Sequence, residues 1–187
     1  MPFTSTDFHD LLDPDLWVIE QMLTLPSDPE PTVTHKDGAL HVEIDDTVAM
    51  SQMQAAVTKY RRCILPVIFI VSQKVYAELF RLVLCQCGGS AGDKQFNVER
   101  AIGALVSAGR IETFRPFPNA ASFHSWWSGK YCFTTLRLAR NQVVHSSYVF
   151  TGGRLSVSDD TGGCLLDWTE AEILSFAREV LRLSKKV

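Results

Sequence analysis

The chain has 187 residues, of which 46% are hydrophobic and 21% are charged, as in an ordinary globular protein. This composition excludes a disordered or collagen-like chain, and the length suffices for one domain with a sizeable core. The formal net charge is −3, so no overall positive field attracts nucleic acid or a membrane surface. We therefore expect a single domain over residues 1–187, in which any nucleic-acid contact comes from a local patch.

The sequence carries no targeting or membrane-spanning pattern. Its N-terminal stretch MPFTSTDFHDLLDPDLW has acidic residues where a signal peptide needs a basic start and an apolar run. The longest apolar run, Ile64 to Val71, contains Pro66 and is far shorter than the roughly 20 residues of a membrane span. We expect a cytoplasmic protein with no membrane partner.

The first elements in chain order are a helix and a small hairpin. Residues 7–25 place apolar side chains at helical spacing, with a break or a new start predicted at Pro14. The stretch TVTHKDGALHVEI alternates apolar and polar residues and has Asp37-Gly38 as its turn. This pattern predicts a small hairpin or a single edge strand.

The middle of the chain predicts the centre of a helical bundle. A helix capped at Asp45, Asp46 or Thr47 should run to about Arg62, and Pro66 should kink or restart it. The helix that follows, to about Leu84, is apolar nearly all round, which is typical of a central helix. The glycine-rich stretch 88–92 is expected to be a linker, because it lacks the lysine pattern of a phosphate-binding loop.

The last part of the chain predicts three helices and a second hairpin. Asn97 is expected to cap a helix over residues 98–108, and a further helix is expected over residues 134–145. Gly152-Gly153 supplies the turn of a hairpin, and a closing amphipathic helix begins at Asp167 or just after it. The predicted fold class is mainly α, a helical bundle with one or two short β-hairpins.

The five cysteines predict reduced thiols rather than a metal site. An odd number cannot all pair within the chain, and the CxC pair of Cys85 and Cys87 lacks a matching second pair. A zinc site from these two cysteines with His124 and His145 is an alternative, but its spacing is unlike that of known zinc ligands. We expect mostly buried, reduced thiols and neither metal nor cofactor.

The segment LRLARNQVVH, residues 136–145, is the part of the chain that looks like a functional site. On an ideal helix Arg140 and His145 lie about 140° apart around the axis, so spacing alone does not stack them. Asn141 and His145 share a face, and Arg137 extends this polar strip by one turn. The long side chain of Arg140 lies on the flank and can fold back toward the strip. The opposite arc is apolar and should anchor the helix in the core through Leu136, Ala139 and Val143.

This arrangement resembles the HEPN family (higher eukaryotes and prokaryotes nucleotide-binding domains). The family's R-x4–6-H motif, often with a polar residue directly after the arginine, lies near the end of a late bundle helix, and RNQVVH fits it with four intervening residues. The resemblance covers the last third of the chain, from about Tyr131 to Leu183. The front half matches only as unspecified helices.

The resemblance implies a metal-independent endoribonuclease in which the 2′-hydroxyl of the RNA attacks the adjacent phosphate. His145 would transfer protons, because histidine titrates near neutral pH, and Arg140 would hold the scissile phosphate with its planar fork. Asn141 would orient the imidazole or the phosphate, and Arg137 would extend the phosphate-binding surface. The resemblance also implies a homodimer with two motifs facing one cleft, a role in defence or as a toxin, and an antitoxin or nucleotidyltransferase partner.

Simpler interpretations of these residues stay open. His145 could be a helix C-terminal histidine that contacts terminal carbonyls, and Arg137 a solvated surface charge. Trp126 and Trp127 are expected in the core or a dimer contact, with base stacking as an alternative. The cluster Lys59, Arg61 and Arg62 is expected to be a solvated face. As a whole, the chain could be a non-catalytic HEPN-like binding or dimerisation module, or an unrelated helical protein in which RNQVVH is a coincidence.

Overall fold

The computed structural model describes residues 4–24, 33–36, 39–42, 47–86, 95–107 and 128–187. Within these ranges the fold is mainly helical, which confirms the predicted class. The helices are α1 (Ser5–Thr24), α2 (Thr47–Gln86), α3 (Gln95–Ser107), α4 (Phe133–Val144) and α5 (Glu170–Ser184). The strands are β1 (Val33–Lys36), β2 (Ala39–Val42), β3 (Tyr148–Thr151), β4 (Arg154–Ser158) and β5 (Cys164–Thr169).

Helix α2 is the central element, and α1, α3, α4 and α5 all pack against it. The restart predicted at Pro66 is wrong, because α2 runs without a break through its 40 residues, and the alternative of a kink there stays a prediction. A proline inside a helix costs about 3 kcal/mol. The buried side chains of Leu65, Ile68 and Phe69 beside it supply packing that offsets this cost. Pro14 likewise lies inside a continuous α1, whose neighbouring Phe8 and Leu12 are fully buried.

A cluster of aromatic rings within the core joins four elements. Tyr76 of α2 contacts Phe133 of α4 and Phe176 of α5, and Phe176 also contacts Trp168 of β5. Burial raises the pKa of Tyr76 well above its ordinary value, and its hydroxyl donates to the carbonyl of Tyr131 at 2.8 Å. This cluster connects the central helix to the small sheet and to both C-terminal helices.

The Cys63–Gln86 part of α2 is long and apolar enough to cross a membrane, by length and composition. The sequence prediction did not identify this stretch as a possible membrane span, because Ser72, Gln73 and Lys74 interrupt its run of apolar residues. In the fold, 61% of its most apolar window is buried, as it is in a core helix of a globular protein.

Within the described ranges, two antiparallel sheets accompany the helices. Strands β1 and β2 form the first predicted hairpin, although its Asp37-Gly38 turn lies outside the described residues. Strands β3 and β4 form the second, joined by Gly152 and Gly153 at φ 58° and 72°, as predicted. Strand β5 adds to β4, and this third strand was not predicted. Its Leu166 and Trp168 face the core, and Asp167 between them faces outward.

Of the two predicted starts of α5, Asp167 is wrong and the one just after it, at Trp168-Thr169, is confirmed. Asp167 and Trp168 belong to β5, and Thr169 is the N-cap of the helix. The Thr169 hydroxyl accepts from the backbone of Glu172, whose carboxylate accepts from the backbone of Thr169, so the two form a capping box. The predicted cap at Asn97 is also wrong, because α3 begins at Gln95.

The four cysteines that the structure describes are free, and none of them is fully buried, which corrects the expectation of mostly buried thiols. Cys63 and Cys164 are exposed, and Cys85 and Cys132 are partly buried. Cys87 and His124 of the alternative zinc site lie outside the described residues, as do Trp126, Trp127 and the 88–92 linker. Among the residues that are described, no group of three or more His, Cys, Asp or Glu side chains could hold a metal ion.

Candidate functional site

Helix α4 carries the RNQVVH motif and is anchored by one apolar stripe. Its buried residues recur at helical spacing and are Phe133, Leu136, Ala139 and Val143. This confirms the predicted anchoring arc. The stripe packs α4 against α2 and against strands β4 and β5, so the motif's opposite face points away from the core.

The C-terminal end of α4 is closed by a backbone turn that begins at His145. The amide of Ser146 donates to the carbonyl of Val143 at 3.0 Å, and that of Ser147 donates to Gln142 at 2.8 Å. This pair of bonds is the Schellman pattern, and it places His145 at the C-cap. Ser146 holds φ 60°, a left-handed conformation that costs a non-glycine residue about 1–2 kcal/mol. Strain of this kind therefore lies directly beside the motif histidine.

A second contact ties the same helix end to the β4–β5 turn. The Gln142 side-chain amide donates to Asp160 at 2.9 Å. The turn itself is organised by Asp159, whose carboxylate accepts from the hydroxyl and backbone of Thr161 and from the backbone of Gly163. These hydrogen bonds, that of the Thr161 hydroxyl first, hold the pKa of Asp159 below its ordinary value. The end of α4 is thus held by both backbone and side-chain bonds.

Arg140 is partly buried and has no carboxylate partner among the residues that the structure describes. Its Nη1 donates to Oδ1 of Asn141 at 3.3 Å, and within the described part of the chain its buried Nε has no hydrogen-bond partner. The other partly buried arginines of that part, Arg81 and Arg137, form ion pairs with Glu78 and Glu99. Arg140 is therefore the partly buried guanidinium that the described structure leaves without an anion.

Arg137 is held away from the strip that the sequence predicts for it. Its Nε donates to Glu99 of α3 at 2.5 Å, and the Thr134 hydroxyl donates to the same carboxylate at 2.7 Å. Both charged side chains of this ion pair are about four-fifths buried, with 20% and 19% of their surface exposed. A contact between Arg137 and phosphate stays a prediction, and it would have to compete with Glu99.

His145 is exposed, and its imidazole has no hydrogen-bond partner among the described residues. The alternative in which its side chain binds the terminal carbonyls of α4 is not observed. On helical geometry its Cα lies roughly 9 Å from that of Arg140. Both side chains are long enough to reach one group that lies between their tips, and Asn141, bound to Arg140, lies on the His145 side of the helix.

Exposed apolar residues lie close to the motif in sequence. Leu138 and Val144 of α4 are 39% and 47% exposed, and Val149 of β3 is 61% exposed. Leu138 lies one turn before Asn141 and two turns before His145, on the same side of the helix. The motif face is therefore mixed, with an imidazole and an amide beside apolar surface.

No family model, curated protein or solved structure matches this chain.

Sequence reasoning found the motif helix but missed the residues that position it. Glu99, Asp160 and the strained Ser146 carry no local pattern that marks them. Asp160 lies in the SDDTGG turn, which has turn-forming composition, but nothing in that composition pairs it with Gln142.

Proposed function

We propose that this chain is a metal-independent endoribonuclease of HEPN type that acts through Arg140 and His145. The observation that carries the proposal is the partly buried guanidinium of Arg140, which no described residue supplies with an anion. A buried charge is costly unless it is paired, so this site favours a bound anion such as a phosphodiester. The neighbouring His145 is solvent-accessible and free to exchange protons with that ligand.

The chemistry assigns one role to each side chain. The 2′-oxygen of the ribose forms a bond to phosphorus, and the bond from phosphorus to the 5′-oxygen breaks. His145 transfers the protons, Arg140 stabilises the charge that develops on the phosphoryl oxygens, and Asn141 fixes the guanidinium through its side-chain oxygen. The products are a 2′,3′-cyclic phosphate and a 5′-hydroxyl, and the reaction requires no metal or cofactor.

The proposed assembly is a homodimer whose two motifs face one cleft. The exposed Leu138, beside Asn141 and His145, supports this arrangement because it supplies apolar area on the motif face. Two copies would also bring Arg140 and its symmetry mate together, which supplies a local positive patch on a chain of net charge −3. An antitoxin or nucleotidyltransferase partner, a toxin or defence role and a cytoplasmic location belong to this proposal as expectations.

The test is cleavage of a single-stranded RNA in the presence of EDTA, with product ends identified by mass. His145→Ala should lower the rate by about 10²- to 10⁴-fold, the usual contribution of a general acid–base group. Arg140→Lys, which keeps the charge and loses the planar fork, should also lower it strongly. His9→Ala and Arg154→Ala are matched controls, because both residues lie outside the motif helix. A substrate with one 2′-deoxy nucleotide should resist cleavage at that position.

Two results would change the conclusion. Equal cleavage by the parent, Arg140→Lys and His145→Ala would show that the motif is not the site. Absence of cleavage in the parent, together with RNA binding that Arg140→Lys weakens, would favour the second candidate, a non-catalytic HEPN-like binding module. Arg140, which has no anionic partner in the described ranges, supports that candidate as well, since it indicates anion binding before it indicates catalysis.

A further inference from the structure

A cleft of about 260 Å³ opens between α1 and α5, away from the motif helix. Asp13, Trp17 and Glu20 of α1 line one wall, and Lys185 at the end of α5 lines the other. We call it the α1–α5 cleft. Trp17 is 61% exposed, so much of its indole is open to a ligand. At this volume the cleft is smaller than the roughly 300–1,000 Å³ of drug-sized ligand pockets and fits a single long side chain.

The charge of the cleft wall is negative. Helix α1 contains five carboxylates and neither lysine nor arginine. Two of them are already neutralised, Asp15 by Lys74 at 2.5 Å and Glu20 by Lys185 at 2.7 Å. Asp13 has neither an ion pair nor a hydrogen bond within the described ranges. The Lys185 contact shows that this wall already attracts one cation from the chain itself.

The spacing of the three α1 residues places an aromatic face between two carboxylates. Asp13 and Trp17 are four positions apart and Glu20 follows three later, so all three lie on one side of the helix. A guanidinium can stack on an indole and at the same time donate two parallel hydrogen bonds to a carboxylate. An ammonium is a compact, strongly hydrated charge and lacks both the planar face and the fork.

We infer that the α1–α5 cleft docks a basic segment of a partner protein, taking one arginine side chain over Trp17 and against Asp13. The occupant follows from charge complementarity, the exposed indole and a volume that matches one side chain. Lys185, which is ion-paired with Glu20, competes with the arginine of the partner for this acidic wall. This competition lowers the affinity of the cleft for the partner. The inference does not depend on the ribonuclease proposal, because none of the cleft residues lies on α4.

The test titrates the full chain with acetyl-Gly-Arg-Gly-Arg-Gly-amide by calorimetry, beside peptides with lysine or glutamate in place of arginine. The arginine peptide should bind about tenfold more tightly than the lysine peptide, and Trp17→Ala should weaken it about tenfold. Asp13→Asn should weaken binding about fivefold. Lys185→Met should tighten it, because it removes the internal competitor.

Two control variants on the same helix separate the cleft from general effects. Asp10→Asn removes the same charge one turn before Asp13, and Leu11→Ala removes an exposed apolar side chain, 51% exposed, outside the cleft. Asp10→Asn should change the affinity less than about twofold, because its exposed carboxylate does not line the cleft, and Leu11→Ala should leave the affinity unchanged, because it removes no charge. Trp17→Phe keeps an aromatic face and should retain part of the affinity, which guards against loss of fold in Trp17→Ala.

Several outcomes would overturn the inference. The parent chain could fail to bind the arginine peptide, or bind the lysine or glutamate peptide equally well. Unchanged affinity in both Trp17→Ala and Asp13→Asn would show diffuse attraction to an acidic helix rather than a cleft. Self-association of the parent that is lost in Trp17→Ala would assign the cleft to a second copy of the chain instead.

Discussion

Replacing Gln73 by methionine should stabilise this protein. Gln73 lies on α2, its side chain is 0% exposed, and neither of its amide atoms has a hydrogen-bond partner in the described part of the fold. A buried polar group without a partner costs about 1–3 kcal/mol. Methionine is unbranched, similar in length and equal in helix propensity, so it fills the same space without the amide. We expect the free energy of unfolding to rise by about 1–3 kcal/mol.

The matched control is the same substitution at a glutamine that does have a partner. Gln142 is partly buried and donates to Asp160 at 2.9 Å, so Gln142→Met removes a real hydrogen bond. It should lower the free energy of unfolding by about 0.5–1.5 kcal/mol. The same substitution is therefore expected to raise the free energy of unfolding at Gln73 and to lower it at Gln142.

Urea unfolding followed by circular dichroism measures both effects. A change in the midpoint at constant slope reports stability, and each kcal/mol should move the thermal midpoint by about 2–4 °C in a chain of this size. If Gln73→Met destabilises as much as Gln142→Met, the amide of Gln73 is satisfied and the reasoning from its isolation is refuted.

Three further predictions concern the ends and flanks of the motif helix and the start of α5. Ser146→Gly should stabilise the chain by about 1 kcal/mol in urea unfolding, because glycine adopts φ 60° without strain; a loss of stability would contradict this. Glu99→Gln should cost about 1 kcal/mol and, by freeing Arg137, tighten RNA binding in an anisotropy titration, so unchanged affinity would exclude a phosphate contact by Arg137. Hydrogen bonds from the backbone and hydroxyl of Thr169 hold the pKa of Glu172 below its ordinary 4.5. The stability that this cap contributes is therefore complete above pH 4.5 and is lost as the pH falls through the lower pKa that Glu172 has in the folded state. Below pH 4.5 the parent should lose more thermal stability than Glu172→Gln, and an equal loss in both would contradict this.

The two proposals lead to independent experiments. In the proposals, RNA cleavage would depend on Arg140 and His145 at the end of α4, and peptide binding on Asp13 and Trp17 of α1. A variant of one site should leave the other readout unchanged. An effect of Trp17→Ala on RNA cleavage would show coupling between the sites that the described contacts do not explain.

Much of the fold could be predicted because it follows from local spacing. The apolar stripe of α4 recurs every three or four residues, and this predicted both the helix and its buried arc. The Gly152-Gly153 turn was predictable because glycine adopts positive φ at low cost. The predicted break at Pro14 and the predicted restart at Pro66 are wrong, because packing against helices that are distant in sequence outweighs the local cost of a proline.

The sequence by itself determined that RNQVVH lies at the C-terminal end of a helix that an apolar stripe anchors in the core. Only the tertiary structure decided that Arg137 is held by Glu99, 38 positions away, and that no described residue supplies Arg140 with an anion. The physical reason is that helical periodicity is a property of neighbouring residues. An ion pair depends instead on which distant side chains the packed helices bring together, and the difference between the two arginines of α4 therefore appeared only in the fold.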